Sequence, residues 1–266
     1  MRMLQIVLFA LGLSVAQAAA DHHRLVTALR PYLSGRWVST GASKGGMTTV
    51  YHRRFYPGDV DASVPYVAPH STSEADARYI PFVANDGADP ACRAQLAAFQ
   101  RQVLTRRAEV KPRMTALGTK YDRLGIDKAL EHCVLELPFG FWQYQTPSRC
   151  ATIPADGAPI ADLYKFLSDV GQITLYGDGG VDYFMPYYYQ SARQLGYPAI
   201  DEDKLKDLLL HPGTDNPASY VPANLPKGYD PAAMIDVGTW VKTQGRALLF
   251  VYGQYDPWTA GAFELG

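Results

Sequence analysis

The chain has 266 residues, 47% of them apolar, and a formal net charge of −1. So even a balance gives no electrostatic case for nucleic acid or an anionic membrane as a partner, and the apolar share is that of a globular chain, not a disordered one. At roughly 100–200 residues per domain, the length allows one large domain or a core carrying an insertion.

Met1-Arg2 is a basic start, Leu4 to Val15 is an apolar stretch, and Ala16-Gln17-Ala18 fits a small-residue cleavage site. Residues 1–20 therefore read as a secretory signal. Ala16 to Leu29 also reads as one helix, with Ala20, His23, Val26 and Leu29 in phase. The two readings stand side by side. Beyond this leader no run reaches the roughly 20 apolar residues of a spanning helix. The His22-His23 doublet projects two ways from its helix and is expected on a solvated face. No Cys/His spacing resembles a zinc site, so no metal and no cofactor are expected.

Trp37-Val38-Ser39-Thr40 is a strand candidate. Gly41-Ala42-Ser43-Lys44-Gly45 then matches G-x-S-x-G, and Met47, Val50, Tyr51 and Phe55 follow at helical spacing until Pro57. Strand, glycine-flanked serine and helix form the context of a nucleophile elbow. A sharp bend puts the serine in strained dihedrals, so its neighbours must be small, and Gly41 and Gly45 are expected to supply the clearance. Ser43 is the candidate nucleophile. The backbone N–H of Lys44, at the helix start, is the candidate oxyanion donor. Ala62 to Pro69 reads as the next parallel strand, so residues 21–72 form the first part of an α/β core.

From about Ser73 the pattern turns helical. Ala91–Ala108, Ala129–Leu137 up to Pro138, Ile160–Val170, Pro186–Leu195 and Leu205–Leu210 are the expected helices, with no strong strand among them. Residues 73–228 thus read as a helical insertion. Cys92 and Cys150 lie in loop-like or helix-edge settings and could pair; Cys133 sits in an apolar helical run and is expected as a buried thiol. In residues 229–266 the sheet pattern returns. Asp230 and Pro231 open a helix carrying Met234, Val237 and Val241, which ends at Gly245. Arg246 to Gly253 has the near-continuous apolar character of a strand buried on both faces. Asp256 follows it, where a triad acid would hold a histidine tautomer and stabilise the imidazolium.

The runs Trp37 to Thr48, Arg53 to Pro57 and Tyr252 to Gly261 resemble the secreted bacterial prolyl tri/tetrapeptidyl aminopeptidases, serine peptidases of the α/β-hydrolase fold. Phe141-Trp142-Gln143-Tyr144 and Ala19 to Arg24 resemble that family more loosely. The resemblance implies a partial α/β-hydrolase fold, a parallel sheet with its nucleophile elbow, carrying a large helical cap. It assigns the nucleophile to Ser43 and the acid to Asp256. It implies release of short peptides, often ending in proline, from free N-termini. The amine of such a substrate needs a carboxylate. Glu136 is the first candidate; Glu131 and Asp182 are weaker ones. The aromatic run from Tyr183 to Tyr189, with Tyr183 and Tyr187 foremost, could line a proline pocket.

Triad order in this fold is Ser, Asp, His, yet all six histidines precede Asp256. Few residues precede the elbow as well. The chain is therefore expected to be an internal piece of a longer hydrolase, truncated at both ends, with negligible peptidase activity as given. A carboxylic-ester hydrolase of the same fold and a non-catalytic truncated product are the alternatives. An esterase would cleave p-nitrophenyl acyl esters without needing a substrate amine. No nucleic-acid or membrane partner is expected. Localisation is expected to be secreted, unless the N-terminus is an internal start.

Overall fold

The computed structural model describes residues 14–85, 89–116, 118–226 and 228–266. The apolar leader lies outside them as far as position 13. The chain forms two compact units. One comprises Met1–Asp76, Tyr189–Tyr197 and Ala223–Gly266; the other comprises Ala77–Tyr188 and Pro198–Pro222. Mixed helix and strand with short parallel pairings make the architecture compatible with a partial α/β fold.

In the first unit, helix α1 (Val15–Leu29) runs straight through Ala16-Gln17-Ala18. Ser14 caps it, its Oγ accepting the Gln17 N–H at 3.1 Å. Strand β1 (Val38–Ala42) pairs in parallel with β2 (Ala62–Tyr66), Val38 opposite Ala62 and Ala42 opposite Tyr66. A third line of chain extends the sheet on the far side of β2. The Ser63 N–H donates to the Ala247 carbonyl at 2.9 Å, Leu249 N–H to Ser63 at 3.0 Å, and Val251 N–H to Pro65 at 3.1 Å. The spatial order is thus β1, β2, then 247–251, all parallel.

Helix α2 (Lys44–Phe55) returns between β1 and β2 and buries Met47, Val50 and Tyr51, while Phe55 stays partly exposed. The Tyr51 hydroxyl meets the Met234 sulfur on a helix spanning Ala232–Gln244 at 3.3 Å. That helix starts one residue later than the Asp230-Pro231 signal indicates. Asp230 still accepts the Ala232 N–H at 3.0 Å. The run 246–253 departs from expectation more clearly. Leu249 is 62% exposed and Val251 38% exposed, so this line is not buried on both faces. An apolar run reports what a strand could bury, not what covers it.

The second unit is helical: α3 (Tyr79–Asn85), α4 (Pro90–Thr105), α5 (Arg107–Thr115), α6 (Ile126–Leu135), α7 (Leu137–Tyr144), α8 (Ile160–Gly171) and most of α9 (Asp178–Gln190). Leu96, Phe99 and Val103 of α4, Leu130 and Val134 of α6, and Leu163, Phe166 and Leu167 of α8 share one core. A Cys92–Cys150 disulfide links the start of α4 to a short turn at Pro147–Thr152, and Cys133 is a buried free thiol.

Four helix expectations need correction here, the first being that Ala91–Ala108 breaks at Arg106 between α4 and α5. Pro138 begins α7, in the first turn where its missing N–H costs nothing, instead of only ending α6. Pro186 lies inside α9, which starts at Asp178. Leu205–Leu210 forms turns, not a helix. There the Glu131 carboxylate takes the N–H groups of Leu210 (2.7 Å) and His211 (2.9 Å), and Arg107 donates to the Leu208 carbonyl. Side chains from α5 and α6 thus supply the bonds that a helix would have made. A two-residue ladder, β3 (Ala75–Asp76) with β4 (Tyr197–Pro198), also falls where no strand is expected. Among the described residues no helix is long and apolar enough to cross a membrane.

Candidate active site

Ser43 sits between β1 and α2 with φ 53° and ψ −123°, a conformation that a non-glycine residue adopts only when its surroundings over-determine it. Both sides hold it. Its N–H donates to the Tyr66 carbonyl at 3.0 Å, and its carbonyl accepts the Met47 N–H at 3.0 Å. The side chain is exposed.

The clearance comes from Gly41 and Gly46. A Cβ on Gly41 would lie 2.5 Å from the Gly45 backbone, and one on Gly46 would lie 2.7 Å from the Tyr66 carbonyl oxygen. Gly45 corrects the expectation, because a Cβ there meets nothing within 4 Å. Its small size leaves open space on the surface beside Ser43 and is not required by packing.

Lys44 is the first residue of α2, so its N–H has no intrahelical acceptor and remains available to an anion. Its side chain turns down the helix, where Nζ donates to Thr48 Oγ1 at 3.2 Å, and burial pulls its pKa down to about 8.

Asp256 follows the third sheet line. Oδ1 accepts the Trp258 N–H at 3.0 Å and so caps the short turn Pro257–Gly261. Its loop is pinned: Thr259 Oγ1 donates to the Gly253 carbonyl at 2.7 Å, and the Tyr252 hydroxyl donates to the Ala68 carbonyl at 2.9 Å. Because the lines are parallel, Ser43 and Asp256 both leave the sheet at its carboxyl edge, two strand positions apart. At about 4.8 Å per strand the axes of those two lines lie roughly 10 Å apart.

Five of the six histidine rings meet partners among the described residues. Asp59 Oδ2 lies 2.8 Å from both His23 Nδ1 and His52 Nε2, and the His22 ring meets His52 edge-on at 5.5 Å. Burial would raise the Asp59 pKa, but the bonds from His52 and His23 outweigh it and hold the carboxyl below its usual range. The doublet thus ties α1 to α2, a role that its spacing does not reveal. His70 Nε2 faces the Met234 carbonyl at 2.9 Å. His132 is enclosed between Tyr220 OH at 2.9 Å and Thr214 Oγ1 at 3.0 Å. Among the described residues no group of three or more His, Cys, Asp or Glu could hold a metal ion.

The substrate-binding candidates lie in the helical unit. Glu136 follows α6, half-buried, and accepts the Tyr176 hydroxyl at 2.6 Å. Glu131 is committed elsewhere: it is buried and ion-paired to Arg107 at 2.7 Å. Asp182 pairs with Arg123 at 3.1 Å. Tyr183 is 77% exposed and meets Phe184 edge-on, whereas Tyr187 tilts against Tyr188.

A family model described as PS-10 peptidase S37 matches residues 10–266. The chain belongs to the PS-10 peptidase S37 family. It is also similar to a prolyl tri/tetrapeptidyl aminopeptidase of Streptomyces mobaraensis, 45% identical over 260 residues. That alignment covers 96% of this chain and 54% of the relative, so the chain spans about half the relative's length. Within the S37 match lie both the strained Ser43 bend and the pinned Asp256 loop.

Proposed function

We propose that this chain carries the nucleophile Ser43 and the acid Asp256 of a serine exopeptidase of the α/β-hydrolase fold, working through a Ser-Asp-His mechanism. In this reading the bend at Ser43 is a nucleophile elbow, the Lys44 N–H faces the developing oxyanion, and the helical insertion is a cap. The substrates are peptides with free N-termini, released as proline-containing tri- or tetrapeptides, as the name of the Streptomyces relative describes for that protein. Glu136 binds the amine, and Tyr187 and Tyr183 contribute to the peptide site. The protein is exported; a disulfide between Cys92 and Cys150 suits an oxidising compartment.

The observation that carries the reading is the strained φ of Ser43 at the junction of a parallel strand and a helix, with Asp256 leaving the same sheet edge. With the His23, His52, His70 and His132 rings engaged as described, the chain as given turns over peptide at negligible rates. A chimera decides both points. Residues 10–266 replace the matching segment of the Streptomyces relative, and cleavage of a proline-containing tripeptide amide is followed. The chimera is active; Ser43→Ala and Asp256→Asn each cut kcat by about 10³-fold or more. Full activity in the Ser43→Ala chimera rejects the nucleophile, and chimera-like turnover by the isolated chain rejects its silence.

A further inference from the structure

The helical unit holds a cavity of about 110 Å³ between α3, α4, the end of α6, α7 and residues 199–205. Its walls are largely apolar. Tyr79, Leu96, Leu135, Trp142 and Leu205 are all buried, and the Tyr79 and Phe139 rings lie 6.2 Å apart at 27°. Gln100, only 8% exposed, is the polar side chain buried among them. Its Nε2 donates to the Val134 carbonyl at 2.6 Å. A carbonyl only accepts, so the nitrogen must occupy that end and the orientation of the amide is fixed. Oε1 is the end left over. Among the described residues it takes no donor, and packing does not seal it off, so it opens on the cavity that Gln100 lines.

An apolar cavity with one fixed acceptor selects a ligand that is itself apolar and carries one donor. Water can supply the donor, but an ordered buried water needs about two to four polar partners, and these walls offer it little else. A ring that keeps the bond to Oε1 and releases the remaining water gains on both counts. Size limits the ring. An engineered cavity of about 150 Å³ takes one benzene, so about 110 Å³ suits a single six-membered ring with its substituent at the mouth, not an indole. Charge decides the donor. The charged side chains on the lining are Arg93, Arg101 and Lys204 against Asp201 alone, with Arg101 offset by Asp207 at 2.7 Å. An ammonium would be buried beside those cations with one acceptor, which is costly; a neutral hydroxyl avoids that cost.

We propose that this cavity binds a phenol: one neutral aromatic ring whose hydroxyl donates to Gln100 Oε1, with the rest of the molecule leaving at the mouth. Phe139 and Trp142 supply ring contacts, and Leu96 and Leu135 supply aliphatic ones. A free phenolic compound and the side chain of a tyrosine in a polypeptide carry the same chemistry. Every lining residue belongs to the helical unit, whereas Ser43 and Asp256 belong to the other. The site therefore goes beyond the peptidase reading and does not rest on it.

The test is calorimetry on the full chain with 4-hydroxyphenylacetamide and with phenylacetamide, which lacks the hydroxyl. The hydroxylated ring binds with a Kd below about 1 mM and about tenfold or more tightly than its partner. Gln100→Leu narrows that difference to within about twofold. Ala97→Phe, which puts a ring into the cavity from α4, abolishes binding of both. N-acetyltyrosinamide separates the two sources. It matches 4-hydroxyphenylacetamide if a polypeptide supplies the phenol, and binds about fivefold more weakly if a free compound does; either result supports the site. If one variant fails to fold, the wild-type pair and the other variant decide. No binding of the hydroxylated ring, equal binding of the two acetamides, or binding that survives Ala97→Phe each overturns the proposal. None of these readouts involves turnover, so the site and the Ser43 assignment fail separately.

Discussion

The two units solve opposite problems. The helical unit closes on itself: residues from α4, α6, α7 and α8 form one contiguous core, stapled by Cys92–Cys150. The sheet unit stays open. Leu25, Leu29, Tyr32, Val38, Leu249 and Val251 all remain substantially exposed, and among the described residues β1 pairs with β2 alone. Its order concentrates instead at the bend around Ser43 and at the Asp256 loop. The lesson is that holding a strained backbone such as that of Ser43 needs a few over-determined positions, not a large core, whereas enclosing a polar side chain needs the core.

The comparison breaks first at the disulfide. The Cys92–Cys150 bridge closes a separation of 58 residues, worth about 4 kcal/mol in the chain-entropy account. Replacing both cysteines by alanine therefore lowers the denaturant midpoint of the helical unit. Hydrogen exchange in α2 and β2 stays as in the parent. Loss of protection in α2 and β2 as well contradicts this prediction.

The next effect is on the sheet side. Gly46→Ala forces a Cβ to 2.7 Å from a backbone oxygen and 3.1 Å from Ala68 Cβ, costing about 3 kcal/mol. Exchange protection in α2 and β2 falls, with the helical unit unchanged.

Acid sharpens the contrast within the helical unit. Burial, then the charges of Lys128 and His211, hold His132 down at about 4 against an ordinary 6.5. The unfolded chain binds that proton first, so stability is complete above pH 6.5 and is lost as pH falls towards 4, by about 3 kcal/mol. His132→Gln flattens that limb of a stability–pH curve. Asp215 works in the opposite direction. Its raised pKa makes the folded state gain on acidification, so Asp215→Asn raises stability at neutral pH. A curve unchanged by either substitution would falsify the burial assignment of both.

Much of this was legible in sequence where it is local. The bend at Ser43 needs only a strand, small neighbours and a helix within some 20 residues, and all three can be read along the chain. The pairing of Cys92 with Cys150 stayed open, because three cysteines allow several pairs. What escaped is contact at a distance. G-x-S-x-G points to Gly45, but the carbonyl that makes a glycine necessary belongs to Tyr66 on β2 and crowds Gly46. Leu205–Leu210 has helical apolar spacing, yet Glu131 and Arg107 capture its backbone. Asp215 lies in Gly213-Thr214-Asp215-Asn216-Pro217, which reads as a turn; nothing local marks it as buried.

The smallest effect is the most diagnostic. Gly45 stands at the second position of α2, exposed, with nothing within 4 Å of an added Cβ. Alanine favours a helix over glycine by up to about 1 kcal/mol in an interior and less at an end. Gly45→Ala should therefore leave melting unchanged or raise it slightly. The space it fills lies one residue from the Lys44 N–H and two from Ser43, where a reacting carbonyl would approach. In the chimera the same substitution should slow peptide cleavage at least tenfold. A stable variant with reduced turnover shows that this glycine serves access to Ser43; full activity would return it to an ordinary surface position and move the approach path to another side of the bend.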